Sequence, residues 1–249
     1  ALTEEDPARK QALMNIVVVG GGASGVEIAG AVAEMKKNII ARDYPDLDSS
    51  QMHIYLVNAA DRLLSAMDPV SSKRAERDLK ELHVHIRQPQ FATEYKDGIL
   101  KTSAGLEIPT QTVIWVSGIC ANTVEGFPAE SIGHAGRFLT DRFCRVKGVK
   151  DVYAIGDVSL VEGDEEYPLG HPQLAQVAMQ QAKTVAKNFK AMSKGKELKP
   201  FKYKNLGVMA TIGRNHAVAE ISGKKFGGFP AWALWLVVHL RSILGGKNK

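Results

Sequence analysis

The chain has 249 residues, 45% of them apolar, and a formal net charge of +5, so it is long enough to bury a substantial core. Its two cysteines are too few for a disulfide framework and fit a reducing compartment. The positive balance favours an anionic surface, but no basic cluster is interleaved with aromatics, so nucleic acid is not an expected partner.

Ala1 to Asp6 is a polar helical or linker stretch without an initiator Met or a targeting segment, which reads as the start of a fragment or a processed chain. Asn15-Ile16-Val17-Val18-Val19 then predicts a strand buried on both faces, because it is short, apolar and β-branched. Gly20, Gly22 and Gly25 follow with G-x-G-x-x-G spacing. The first glycine allows a tight turn, the second lets backbone approach a pyrophosphate, and the third lets a helix pack close to the strand. Ala23 and Ser24 lie between them, and a helix from Val26 to Met35 is predicted to aim its unpaired N–H groups and positive dipole end at the phosphates. These five residues are the expected nucleotide-binding positions.

The second strand is predicted over Met52 to Val57, after a crossover from Lys36 to Gln51 in which Tyr44-Pro45-Asp46 ends the first helix. An acid commonly closes that second strand and grips the adenosine ribose; here the residue is Asn58. An amide can bond a hydroxyl but lacks the charge that repels a 2′-phosphate, which leaves NADH and NADPH both open. Asp68-Pro69 predicts a helix start running to about Leu82, and Val84-His85-Ile86 predicts the next strand. Phe91 to Ile108 turns at Asp97-Gly98 and Ala104-Gly105, as a small β-meander would. Thr112 to Val116 returns as a buried strand ending in a small-residue turn at Gly118.

Farther on, Val152-Tyr153-Ala154-Ile155-Gly156-Asp157 brings a glycine that permits close approach next to a carboxylate that can accept hydroxyl hydrogen bonds. In the helix expected after His171-Pro172, Gln173, Gln176 and Gln180 fall at i, i+3 and i+7 on one face. Amides donate and accept without titrating, which suits carbonyl partners. Phe229 to Val238 is an apolar run with Trp232 and Trp235, too short to cross a membrane but suited to a buried or an interfacial helix. Cys120 reads as a buried structural thiol, and His53, His83, His85, His134 and His216 as ordinary strand or loop residues, with no metal site and no catalytic triad expected.

GGGASGVEIAG, LVNAADRLL, VIWVSGICAN, DVYAIGDV and HPQLAQVAMQQ occur in the order found in two-dinucleotide flavoproteins of the pyridine-nucleotide-disulfide oxidoreductase superfamily. More narrowly, the AQVAMQQ run and the AWALWLVVHL tail resemble type II NADH dehydrogenase, the non-proton-pumping NADH:quinone oxidoreductase. The resemblance implies an α/β fold in which a Rossmann-like NADH domain is inserted in an FAD domain whose C-terminal half alone is present here. The corresponding divisions are 12–118 for the NADH domain, 119–205 for the half FAD domain, and 206–249 for a C-terminal cap or membrane-proximal segment.

By the same resemblance, the cofactors are NADH and FAD. Gly118, Gly156, Asp157 and Ala175 contact cofactor, Asp157 through the flavin ribityl chain. Glu27 faces the nicotinamide, while Gln176 and Gln180 lie where flavin and quinone meet. The cofactors carry the chemistry and the protein aligns the rings. The expected setting is peripheral, at the cytoplasmic face of the cell membrane, with quinone as acceptor and a homodimer allowed. Without the first flavin fingerprint, this chain alone is expected to lack quinone turnover. The alternatives are a soluble NADH-dependent reductase of an iron–sulfur protein and a non-catalytic NAD(H)-binding module.

Overall fold

The computed structural model describes residues 1–243. They divide into two compact units, the first built from Ala1–Gly118 together with the segment that begins at Gly207, the second from Ile119–Leu206. In the first unit, α1 (Pro7–Met14) is capped by the Asp6 carboxylate, which accepts the Ala8 N–H, and leads directly into β1 (Asn15–Val19). After the glycine turn, α2 (Ala23–Met35) continues through a π-helical stretch (Lys36–Ile40) into the short α3 (Ala41–Asp43), and stops before Tyr44-Pro45. β2 (His53–Val57) follows. Asp68 caps α4 (Pro69–Glu81) by accepting the Val70 N–H, with Pro69 at the first helical position where its missing donor costs nothing. Then come β3 (Val84–Arg87), β4 (Ala92–Lys96), β5 (Ile99–Thr102), β6 (Glu107–Pro109) and β7 (Thr112–Trp115).

The parallel sheet has the order β3-β2-β1-β7 and the meander the order β4-β5-β6. β1 is central, paired on one side with β2 and on the other with β7. Its alternation sorts its valines between two layers. Val18 packs with Val26 and Ala29 of α2 and Leu79 of α4, while Val17 and Val19 pack with Leu100 and Ile108 of the meander. A strand covered on both faces favours apolar side chains, hence the run Ile16–Val19, while the buried Asn15 at its start is satisfied by donating to the Pro109 carbonyl.

In the second unit β8 (Phe138–Thr140) pairs in parallel with β9 (Ser159–Val161), and α5 spans Ala175–Met192. Val177 and Val185 of α5 close a core with Cys144, Val161, Phe201 and Tyr203. Gln173, expected inside this helix, lies before it, because Leu174 at the N-cap is extended (φ −132°, ψ 144°). Its side chain instead donates to the Asp157 carbonyl.

The segment expected as a C-terminal cap supplies an antiparallel sheet, β10 (Val208–Gly213), β11 (His216–Ile221) and β12 (Lys224–Gly227). It lays Ala210, Ile212 and Val218 into the same core as α2 and α4. The approach is close: a Cβ on Gly30 of α2 would stand 1.7 Å from the Ile212 carbonyl oxygen. α6 (Phe229–Ile243) buries Ala231 and packs Trp232 near Ala217 and Ala219. Its later residues Val237, Val238, Leu240 and Ile243 are exposed. Among the described residues no helix is long and apolar enough to cross a membrane.

Candidate nucleotide and flavin sites

The glycine turn joins β1 to α2, and two of its three fingerprint glycines, Gly20 and Gly25, have a steric reason within the chain. Gly20 sits at φ +121°, where a side chain is strained, and a Cβ there would meet the Val116 carbonyl at 2.9 Å. A Cβ on Gly25 would lie 1.7 Å from the Gly20 carbonyl oxygen, so only glycine lets α2 begin this close to its strand. Gly22 is different: nothing lies within 4 Å of where its Cβ would be. Gly22, Ala23 and Ser24 are exposed, and Gly22 is the N-cap of α2 with no side-chain capping bond. The turn therefore presents an open, donor-rich helix terminus of thirteen helical residues, which is the arrangement a pyrophosphate requires.

Around this turn the structure places the other expected residues. Glu27, in the second turn of α2 because the helix begins at Ala23 and not at Val26, accepts the backbone N–H of Thr211 on β10 at 3.2 Å. Burial raises its pKa, opposed by the Thr211 bond and by the charge of His239. Thr211 was not anticipated, since nothing in the sequence near Glu27 points to a strand almost two hundred residues away. Asn58, at the end of β2, is buried beneath the turn, where its Oδ1 accepts the Gly21 N–H. Gly118, at φ +77° with open space beside it, ends the segment after β7.

In the second unit, Gly156 at φ +72° turns the chain so that Asp157 is exposed beside α5. A Cβ on Gly156 would meet the Ala178 methyl at 3.2 Å, so the glycine seats the turn on the helix. Gln181, buried and unanticipated, accepts the Gly156 N–H at 2.6 Å. Its sequence signal was present but misleading, because it lies one residue past the glutamine face that the periodicity selects. Arg137, also unanticipated, is buried and donates to the carbonyls of Ser159 and His171. Burial lowers its pKa, and the nearby charge of Asp157 opposes that shift. His171 packs among Tyr167, Phe201 and Tyr203 and lies 3.2 Å from Asp164. Desolvation lowers its pKa despite that carboxylate. This buried cluster fixes the chain just ahead of α5, whose N-terminus at Ala175 carries no side-chain cap.

Gln176 and Gln180 do share a face, and that face holds the chain that follows. Gln180 accepts the Lys204 N–H at 3.0 Å and donates to the Lys204 carbonyl at 2.9 Å. Gln176 accepts the Leu206 N–H at 2.9 Å. Asn188 makes the same two-way clip with Lys199, at 3.0 and 2.8 Å. Three amides of α5 thus pin 199–206 along the helix. Cys120, expected as a buried thiol, is exposed. The correction follows from its place just beyond the Gly118 turn, outside every core cluster of the described residues. Cys144 is the buried one, and burial pushes its pKa up to about 12.

The model of the pyridine nucleotide-disulphide oxidoreductase family matches residues 2–182. The chain is similar to the type II NADH:quinone oxidoreductase NdhA of Mycobacterium tuberculosis, with 33% identity over 98% of this chain and 53% of that protein. It is likewise similar to the internal alternative NAD(P)H-ubiquinone oxidoreductase A1 of Arabidopsis thaliana mitochondria, with 31% identity over 96% and 50%. The chain spans about half the length of the curated relatives it matches. Among solved structures, NDH2 from Plasmodium falciparum in complex with NADH superposes with a TM-score of 0.85 at 17% identity, over 96% of this chain and 64% of that one. A ferredoxin reductase from Rhodopseudomonas palustris superposes at 0.60 and 20% identity, over 86% and 55%. With a matching family model over most of its length and the same α/β architecture, the chain belongs to the pyridine nucleotide-disulphide oxidoreductase family.

Proposed function

We propose that this chain carries the NADH site and part of the FAD site of a type II NADH:quinone oxidoreductase. The observation that carries the reading is the uncapped N-terminus of α2 behind Gly22, with open space where a Cβ would stand. The pyrophosphate of NADH would rest on the N–H groups of Gly22, Ala23 and Ser24, and Gly25 and Gly20 keep helix and strand close enough for those groups to converge. A bound FAD would supply the redox chemistry between NADH and the acceptor, with this chain's residues holding and orienting it. In the second unit Asp157 would accept hydrogen bonds from the ribityl hydroxyls, Gly156 would let the flavin approach, and the open α5 N-terminus at Ala175 would face a ring carbonyl. Arg137 supplies a buried positive charge near Asp157 on the same side of the proposed site. Glu27, beside the phosphate turn and held by Thr211, would shape the nicotinamide end.

Quinone as acceptor is supported by the names of the similar proteins. Peripheral attachment to a membrane is supported by the exposed apolar residues of α6, whose fifteen described residues are fewer than the ~20 needed to span a bilayer. A homodimer belongs to the same reading. Calorimetric titration tests its core: the chain should bind NADH, and Gly22→Val should abolish binding by filling the space that the pyrophosphate needs. Unchanged affinity in Gly22→Val would remove the basis of the proposal.

A further inference from the structure

Asn58 occupies the position from which an acid commonly grips the adenosine ribose, yet its side chain faces inward. It is 7% exposed. Its Oδ1 accepts the Gly21 N–H at 3.2 Å. Its Nδ2 has three acceptors around it, the carbonyls of Ala60 at 3.0 Å and Arg62 at 3.1 Å and Oε1 of Gln88 at 3.4 Å. A carboxamide has two N–H donors, so both are engaged before any ligand arrives. Gly21 shows the same contact from its own side. A Cβ there would lie 2.4 Å from Asn58 Cγ, 2.6 Å from its Oδ1 and 2.8 Å from Leu63 Cδ2. Gly21 is not one of the fingerprint positions; it is glycine because the Asn58 amide, together with the Leu63 side chain, fills the space beside it. The backbone completes the knot, with Leu64 N–H on the Gly21 carbonyl and Asn58 N–H on the Arg87 carbonyl.

We infer that Asn58 is a positioning residue of the phosphate turn and not a ligand of the adenosine ribose. This rests on the nucleotide reading given above and deepens it. Turning the amide outward to a ribose hydroxyl would strip the buried Gly21 N–H of its acceptor and leave two half-buried carbonyls without their donor, the costly arrangement for polar groups. A carboxylate at this position could still accept from Gly21 but would set its second oxygen against the Ala60 and Arg62 carbonyls. The residue type is therefore chosen by the turn, and discrimination between a 2′-hydroxyl and a 2′-phosphate does not pass through it.

The test is calorimetric titration of the chain with NADH and with NADPH, before and after Asn58→Asp. Both affinities should fall by the same factor, about ten- to a hundredfold, with their ratio unchanged. A ribose ligand would behave otherwise, since the new charge would repel the 2′-phosphate and raise the NADH preference. A ratio that shifts severalfold toward NADH, with NADH affinity kept, overturns the inference while leaving the nucleotide site intact. Failure of the unsubstituted chain to bind either nucleotide overturns the nucleotide reading and this inference with it. Should Asn58→Asp not fold, the contact is read from Gly21→Ala, Asn58→Ala and the double variant. The Gly21→Ala penalty in NADH affinity should shrink in part once Asn58 Cγ and Oδ1 are gone, the Leu63 contact remaining in both backgrounds, and full additivity would overturn the inference.

Discussion

Gly30→Ala sets two effects against each other, and the structure decides which wins. In an exposed helix interior the change would stabilise by roughly 0.5–1 kcal/mol, because alanine loses less backbone freedom on folding. At Gly30 of α2 the added methyl would stand 1.7 Å from the Ile212 carbonyl oxygen and 2.6 Å from its carbon. Ordinary contact begins near 3.4 Å, so α2 and β10 must part by well over an ångström. The atoms in the way are backbone, which cannot swing aside as a side chain would. Parting them loosens Ala210 and Ile212 from the core they share with Val26 and Ala29, and stretches the bond from Thr211 N–H to Glu27. Overpacking of this kind costs about 1–3 kcal/mol or more, which exceeds the propensity gain. The expected result is a melting temperature lower by several degrees, at ~2–4 °C per kcal/mol for a chain of this size, and weaker NADH binding through the displaced Glu27. Differential scanning calorimetry reads the first and titration the second. A Gly30→Ala variant as stable as the parent would mean that β10 does not rest on α2 as described.

In Gln180→Leu, amide exchange at Lys204 should accelerate about five- to thirtyfold as the two-way clip is lost, and Asn188→Leu should free Lys199 more strongly, because Asn188 is the better buried; unchanged exchange would show that these amides do not hold 199–206. Native-state alkylation with iodoacetamide should label exposed Cys120 and spare Cys144, whose pKa is pushed up to about 12; mass spectrometry finding Cys144 modified before unfolding would contradict its burial. Glu27 has its pKa raised by burial, so the folded state holds its proton more tightly than the unfolded one, and its contribution is present at low pH and lost as pH rises through the folded value. Glu27→Gln keeps an acceptor for Thr211 and should gain on the parent across that rise; a stability difference flat with pH, by denaturant titration, would argue against a desolvated carboxyl.

Much of the fold was written in local pattern. The β-branched run of β1, the Asp68-Pro69 start of α4 and the Asp97-Gly98 turn each depend on neighbours in sequence, and each appears where expected. The glycine turn was equally legible, because steric need for Gly20 and Gly25 arises within one strand–turn–helix unit. What the sequence could not determine involves partners far along the chain. Asn58 can accept from a turn or from a ligand with the same atoms, and only the position of Gly21 decides between them. Helical periodicity placed Gln176 and Gln180 on one face but wrongly added Gln173, which precedes the helix, and the partners of that pair on 199–206 lie beyond a loop whose path no spacing rule predicts. Glu27 meets Thr211, and Gly30 meets Ile212, because β10 returns to α2 from the other end of the chain. Periodicity says which way a side chain points along its own element; what it meets there is set by tertiary packing, since hydrogen bonds and steric contacts act over a few ångströms, whatever the separation in sequence.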